Sequence, residues 1–235
     1  MGECPTIKFS AAVREEALSW NRDLLADPVH GAREEYDLRL RVSQLDPVLV
    51  AYLPRWERSW KLLDVGSGPL TTLGTVVAGH GVGVTATDLY GAEYAAIMDE
   101  LGLVPPVRPV GCSGEDLIER FGCSTFDLVH CGNALDHCEN PLVVLNNMLG
   151  VAKPGANVIV WCWENEGKAS GYKVMHQWDL SLEGRLVFLS RSADPVFRCN
   201  LIEQFAPRLT CWEILTKEGY YGRRKVMFRF EKWCG

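Results

Sequence analysis

Two short runs of this chain hold residue types able to bind a ligand closely and to move a proton. In Lys61-Leu62-Leu63-Asp64-Val65-Gly66-Ser67-Gly68-Pro69-Leu70-Thr71, an apolar stretch carrying one acid ends in two glycines. That is the layout of a buried strand turning tightly, where bare backbone can approach a ligand. Asp88, with Leu89 after it, closes the next apolar run, Val82-Gly83-Val84-Thr85-Ala86-Thr87. An acid at such a strand tip is placed to bind a ribose diol. The second run is Phe126-Asp127-Leu128-Val129-His130-Cys131-Gly132-Asn133-Ala134-Leu135-Asp136-His137. His137 is the best candidate for a general base because an imidazole changes charge near neutral pH. Asp136 can orient it or remain solvated, and His137 can equally serve only to pack its loop. His176, in Tyr172-Lys173-Val174-Met175-His176-Gln177-Trp178, is a second candidate, with Glu164 and Glu166 nearby in sequence. Its segment suits hydrogen bonding and stacking to a polar small molecule, or is a surface element whose aromatics are core.

Alternating elements must position these residues. The pattern predicts strands over 61–65, 83–87, 106–110, 126–131 and 156–162, and helices over 70–79, 91–101, 114–121 and 140–151. Strands alternating with helices mean a doubly wound parallel sheet with right-handed crossovers. Before it, Ser10 caps a helix beginning at Ala11, a second helix covers Gly31 to Val42, and a third runs from Asp46 to Tyr52. Residues 1–57 thus form a helical extension that either lids the ligand crevice or closes the sheet's edge. Residues 58–235 form the ligand-binding domain, with an insertion at about 163–208 longer than a core connection needs. In the second helix, Tyr36 and Arg39 share a face. Arg39 can pair with a ligand carboxylate, or the pair is a solvated face.

Leu62, Leu63, Asp64, Gly66 and Gly68, with Asp88 beyond them, resemble the first motif of class I S-adenosylmethionine-dependent methyltransferases. The resemblance covers about residues 58–163, and Leu70 departs from it where a third glycine is common. It implies a Rossmann-like, seven-stranded, mostly parallel sheet, with Leu209–Thr216 and Lys225–Trp233 as an antiparallel sixth and seventh strand joined by Gly219-Tyr220-Tyr221-Gly222. The Lys153-Pro154-Gly155 turn before the fifth strand is also frequent in that family. The cofactor implied is S-adenosylmethionine, bound by Asp64, Gly66, Ser67, Gly68, Asp88 and Leu89. The loop Ser113-Gly114-Glu115 would edge the adenine, although an acid there also suits a helix N-terminus. Asn133, Asp136 and His137 match the segment that sits beside the methyl group in small-molecule enzymes. Asn133 is therefore expected at the cofactor and His137 at the acceptor.

Three function classes remain distinct on the residues. The first is methyl transfer to a hydroxyl or amine of a small molecule, a sugar or aromatic metabolite among the options. The second is a nicotinamide- or flavin-dependent oxidoreductase, disfavoured because Thr71 stands where its fingerprint needs glycine. Pro69 also lacks an N–H for a diphosphate and Asp64 would repel one. The third is a protein that binds the cofactor without catalysis.

A net charge of −6 and no basic stripe argue against nucleic acid. The densest basic run, Arg223-Arg224-Lys225, reads as a solvated hairpin turn. No apolar run is long enough for a membrane span, and the N-terminus has no secretion-signal pattern, so a cytoplasmic location is expected. The nine cysteines form no Cys-x-x-Cys pair. His130, Cys131, His137 and Cys138 are the nearest grouping, and adjacent strand residues face opposite ways, so no metal is expected.

Overall fold

Leu62, Leu63 and Val65 carry no more than 2% exposure because their strand, β1 (Lys61–Val65), lies near the centre of the sheet. It pairs in parallel with β4 (Gly83–Asp88) on one side and β6 (Phe126–Gly132) on the other. The computed structural model describes residues 3–27, 33–54, 59–218 and 223–234. β4 continues to the edge strand β5 (Pro109–Gly111), and β6 to β7 (Ala152–Trp163). On the far side β12 (Arg224–Lys232) runs antiparallel to both β7 and β11 (Leu209–Glu218). The resulting order, β11-β12-β7-β6-β1-β4-β5, is a seven-stranded, mostly parallel sheet. The turn expected at 219–222 and the expected helix start at Gly31 lie outside the described residues.

Helix α6 (Pro141–Val151) is capped by Asn140, whose Oδ1 accepts the Val143 N–H, and it buries eight of its eleven residues against β6 and β7. Helix α1 (Ala11–Ala26) starts at Ser10 as expected and packs on α4 (Gly91–Glu100) through a bond from Asn21 to the Tyr94 hydroxyl. Helix α2 (Arg33–Arg39) is shorter than expected. The short helix α3 (Pro47–Val50) is capped by Asp46. Lys153-Pro154-Gly155 does not end one element and begin another: it is an irregularity inside the continuous strand β7, where pairing to β6 shifts register.

The helix expected over 70–79 is not there. Thr75, Val76 and Val77 are β-branched, and Ala78 and Gly79 both have positive φ, so this segment makes a small hairpin of β2 (Val76–Val77) and β3 (His80–Gly81). The chain from Ser43 onward lies against it, with Leu45 N–H donating to Val76 O at 2.8 Å. A side chain on Gly74 would strike the Gln44 carbonyl, so only glycine lets the two segments meet. Leu45, Leu49 and Leu53 then cover the sheet face of Leu62, Leu128 and Ile159.

The insertion is a separate three-stranded antiparallel sheet of β8 (Asp179–Glu183), β9 (Leu186–Arg191) and β10 (Phe197–Asn200). It is joined to β7 by helix α7 (Glu166–Ser170). Trp178, fully buried, donates from Nε1 to Cys138 O at 2.8 Å and ties the insertion to the loop after β6. The basic run is not a solvated turn. Arg223 pairs with Glu166, Arg224 with Glu164, and the Lys225 ammonium sits over the rings of Trp161 and Trp163. These side chains stay partly exposed, and acids and indole faces close at hand hold them in place.

Glu164 couples the two sheets by accepting from Arg224 Nε at 2.8 Å and from the Leu182 N–H at 3.0 Å. The Arg224 hydrogen bonds, partly opposed by burial, hold its carboxyl below the ordinary glutamate value. A depressed carboxylate contributes stability above its ordinary value, and that contribution disappears as pH falls through the lower folded value. Glu164→Gln should therefore be less stable than the parent at pH 7, by at most about 1 kcal/mol for a partly exposed pair. The gap should close towards pH 3, as read from urea midpoints at both pH values.

Candidate active site

Asp64 is 2% exposed near the carboxyl end of β1, and both of its oxygens are engaged. Oδ1 lies 2.8 Å from His130 Nδ1 on the adjacent strand, and Oδ2 accepts the Thr71 hydroxyl at 2.5 Å. A buried carboxylate needs such partners. The Asp64 side chain is turned inward and braces the glycine turn from beneath. Thr71, which breaks the dinucleotide fingerprint, is the brace's other half. Neither His130 nor Thr71 was singled out as a site residue, and the signal lay in the strand register that sets Asp64 opposite His130.

Above this brace, Gly66 and Gly68 have φ of +66° and +63°. A side chain on Gly66 would sit 2.5 Å from the Ala134 Cβ, so the loop after β6 presses directly on the glycine turn. At Gly68 a side chain would meet nothing within 4 Å, and this glycine borders open space. Ser67 holds the turn through its N–H to Thr87 O at 2.9 Å. Asp88 accepts the N–H of Gly68 at 3.0 Å and of Tyr90 at 2.9 Å. Burial pushes its carboxyl above the ordinary value, against the pull of those two donors. Leu89 beside it is exposed.

The Ser113 hydroxyl accepts the Glu115 N–H at 3.2 Å, and Gly114 packs on Val144. The Glu115 carboxylate bonds Ser113 and accepts the Asn140 N–H at 3.0 Å, so both of its oxygens work within the protein. Asn133 takes a left-handed conformation, φ +55°, and donates its N–H to Trp161 O at 2.7 Å, ending β6. The Arg39 guanidinium bonds Leu70 O at 3.3 Å and pairs with Glu35, so it anchors α2 to the glycine turn. Tyr36 lies under that guanidinium, in an apolar cluster that also holds Tyr90, Tyr94 and Met175.

The candidate acid–base residues converge. Asp136 is 1% exposed on a single 3-10 turn, Leu135–His137, and His176 arrives from the insertion. His176 Nδ1 lies 2.7 Å from Asp136 Oδ2 and 2.9 Å from His137 Nε2. His137 Nε2 is itself 3.4 Å from Asp136 Oδ2. Burial lowers the His137 imidazole, partly offset by Asp136. Burial is the strongest influence on His176 and opposes its charge, but the hydrogen bond and charge of Asp136, together with Glu166, outweigh it and raise the imidazole. His130, Cys131 and Cys138 do not join this group. His130 is held by Asp64 and both thiols are raised by burial. Two surface clefts, one between α1 and α4 and one beside Cys4 and Asn140, lie away from Gly66, Asp88 and His137.

Residues 63–160, which span the glycine turn, Asp88 and the Asp136–His137 loop, match the family model of a methyltransferase domain. The matched segment is somewhat under half of the chain, and within it the likeness is to a methyltransferase domain. Solved structures share this fold over nearly the whole length of the chain. One is 1,6-didemethyltoxoflavin-N1-methyltransferase of Burkholderia thailandensis, solved with bound 1,6-didemethyltoxoflavin and S-adenosylhomocysteine. It is 19% identical, with 97% of this chain and 94% of that chain covered and a TM-score of 0.51. Another is the N-methyltransferase NodS of Bradyrhizobium japonicum, solved with S-adenosylhomocysteine: 14% identical, 94% and 96% covered, TM-score 0.53. The [4+2]-cyclase SpnF is 15% identical, with both chains fully covered and a TM-score of 0.58. A search of curated proteins finds no match.

Because Asp88 accepts two backbone donors, its removal acts on the empty protein as well as on any ligand. Asp88→Ala should lower the stability of the ligand-free protein by about 1–3 kcal/mol, the cost of stranding buried N–H groups. Unfolding in urea measures this, and an unchanged midpoint would mean that the glycine turn holds itself.

Proposed function

We propose that this protein moves the methyl group of S-adenosylmethionine onto an oxygen or nitrogen of a small-molecule acceptor. The observation that carries the reading is the contact of Ala134 with Gly66, which joins the donor's turn to the loop bearing Asp136 and His137. The donor is S-adenosylmethionine, whose ammonium and sulfonium suit a crevice edged by Asp88 and backed by Asp64. A diphosphate suits neither acid. Two of the neighbours were solved with S-adenosylhomocysteine, which supports the same donor here. The fold alone does not name the reaction, since a [4+2]-cyclase shares it.

Methyl transfer from a sulfonium is an in-line displacement. The acceptor's lone pair attacks the methyl carbon while the carbon–sulfur bond breaks towards a neutral thioether. Holding the two reactants in line supplies much of the rate. An acceptor hydroxyl or ammonium must also lose its proton, and His137 with His176 and Asp136 is the group that makes this possible. Gly66, Ser67, Gly68, Leu89, Asn133 and the Ser113–Glu115 loop frame the donor, with Asp88 turned to the ribose. The N-terminal helices act as a lid. Tyr36 on α2 and Met175 beside His176 share one apolar cluster with Tyr90 and Tyr94, so lid and insertion meet next to Asp88. The acceptor is a metabolite such as a sugar or an aromatic compound. No described helix is long and apolar enough to cross a membrane, and the enzyme works on soluble substrates in the cytoplasm.

S-adenosylhomocysteine at a hundredfold excess over its Kd should stabilise the protein by about 2.7 kcal/mol, a melting shift of about 5–10 °C for a chain of this size. NAD should produce none, and the reverse result would replace methyl transfer by an oxidoreductase reading. His137→Ala should keep the shift and lose about 10²–10⁴-fold in turnover of the true acceptor. Normal turnover by that variant would reduce His137 to packing.

A further inference from the structure

Three ligand-type atoms converge where Asp136, His137 and His176 meet, all within 4.8 Å of one another. Their separations are 2.7 Å, 2.9 Å and 3.4 Å. Hydrogen bonds alone fit this triangle poorly. His176 Nδ1 is the near partner of both Asp136 Oδ2 and His137 Nε2, yet a ring nitrogen carries at most one proton. If that proton points at Asp136, His137 Nε2 faces an N–H directed elsewhere. If it points at His137, or if His137 Nε2 carries the proton and Nδ1 accepts, the carboxylate oxygen receives no donor from His176. One centre of positive charge satisfies all three atoms together.

The dimensions fit such a centre. A point about 2.1 Å from all three atoms, the usual metal–nitrogen and metal–oxygen distance, lies about 1.1 Å off their plane. The three atoms subtend about 80°, 87° and 108° there, close to three adjacent corners of an octahedron. A second observation is independent of that triangle. Asp136 Oδ1 is buried without any hydrogen-bond partner. Stranding a carboxylate oxygen in this way is costly, and a cation bound at the other oxygen of the same carboxylate offsets part of that cost.

We infer that Asp136, His137 and His176 form a binding site for one divalent transition-metal ion. Two imidazoles and a carboxylate on one face suit Zn²⁺, Fe²⁺, Mn²⁺ or Co²⁺ rather than Ca²⁺ or Mg²⁺. The outer support is in place: the Gln177 N–H donates to Asp136 O at 3.0 Å and Trp178 pins the Cys138 carbonyl. The His137 and His176 side chains are 27% and 31% exposed, so the remaining coordination positions open outward. In the proposed reaction an acceptor hydroxyl bound there would release its proton to water. The resulting alkoxide then attacks the methyl carbon as the carbon–sulfur bond breaks. The ion thus deepens the methyl-transfer reading, while its binding stands on geometry that does not require it. The spacing rules for metal sites pass over this set because His176 lies 39 residues beyond His137.

Chelator-treated full-length protein titrated with Co²⁺ tests the inference, with visible absorption as the readout and Zn²⁺ as competitor. One Co²⁺ per chain is expected, displaced by Zn²⁺. Asp136→Asn, His137→Gln and His176→Gln should each weaken binding by about a hundredfold, while His80→Gln on exposed β3 should not change it. The S-adenosylhomocysteine melting shift of each variant reports its fold. Should Asp136→Asn fail to fold, the two partly exposed histidines carry the test. Absence of saturable binding overturns the inference. So does equal binding by all the variants, or a near-ultraviolet thiolate band that places the ion on cysteine. Cobalt binding without a shift by S-adenosylhomocysteine removes the methyl-transfer reading and leaves the metal site. A shift without cobalt binding does the opposite.

Discussion

The Asp64 carboxylate sits inside the sheet with a neighbouring strand's imidazole on one oxygen and a hydroxyl from beyond the glycine turn on the other. An unpaired charge at that depth would cost several kcal/mol, so both partners are obligatory once the acid is there. His130 binds β6 to β1 at the register where they pair. Thr71 draws the chain back after Gly68 and closes the turn. Everything on the crevice side follows from that closure. Ala134 can press on Gly66 only because the turn is held down, and the Asp136–His137 loop is carried in with Ala134.

The central sheet was legible in the sequence because its signals are local. Short apolar runs punctuated by glycine, proline and acids gave the five parallel strands, and the alternating tail gave the antiparallel pair. The helix over 70–79 was misread for an instructive reason. Thr75-Val76-Val77 is a β-branched run, and with Ala78-Gly79 after it the local signal is a hairpin. The solvated reading of Arg223–Lys225 failed because its acidic and aromatic partners come from strand β7 and the residues after it, some sixty positions away.

At the site, residue types were legible and their partners were not. Asp64, Asp88 and Glu115 stand where ligand-binding acids belong, yet each turns out to hold backbone or side-chain donors of the protein itself. Sequence spacing cannot tell an acid that faces a ligand from one that braces the wall behind it. His137 and His176 were separate candidates in the sequence. What unites them is Trp178, whose burial fixes the insertion against the loop after β6.

The segment from Ser43 to Leu53 replaces a helix that the chain does not make after its glycine turn. This has a consequence for folding order. Ile159, one of the side chains that the segment covers, leaves the ribosome more than a hundred residues after it. Contacts of such separation form late, because the loop entropy must be overcome before they contribute. Leu45, Leu49 and Leu53 meet Leu62 and Leu73 soon after they are made, but lack Leu128 and Ile159 until much later. The sheet face that they shield is complete only then, and this interval is the one in which the nascent chain is most open to aggregation and to chaperones.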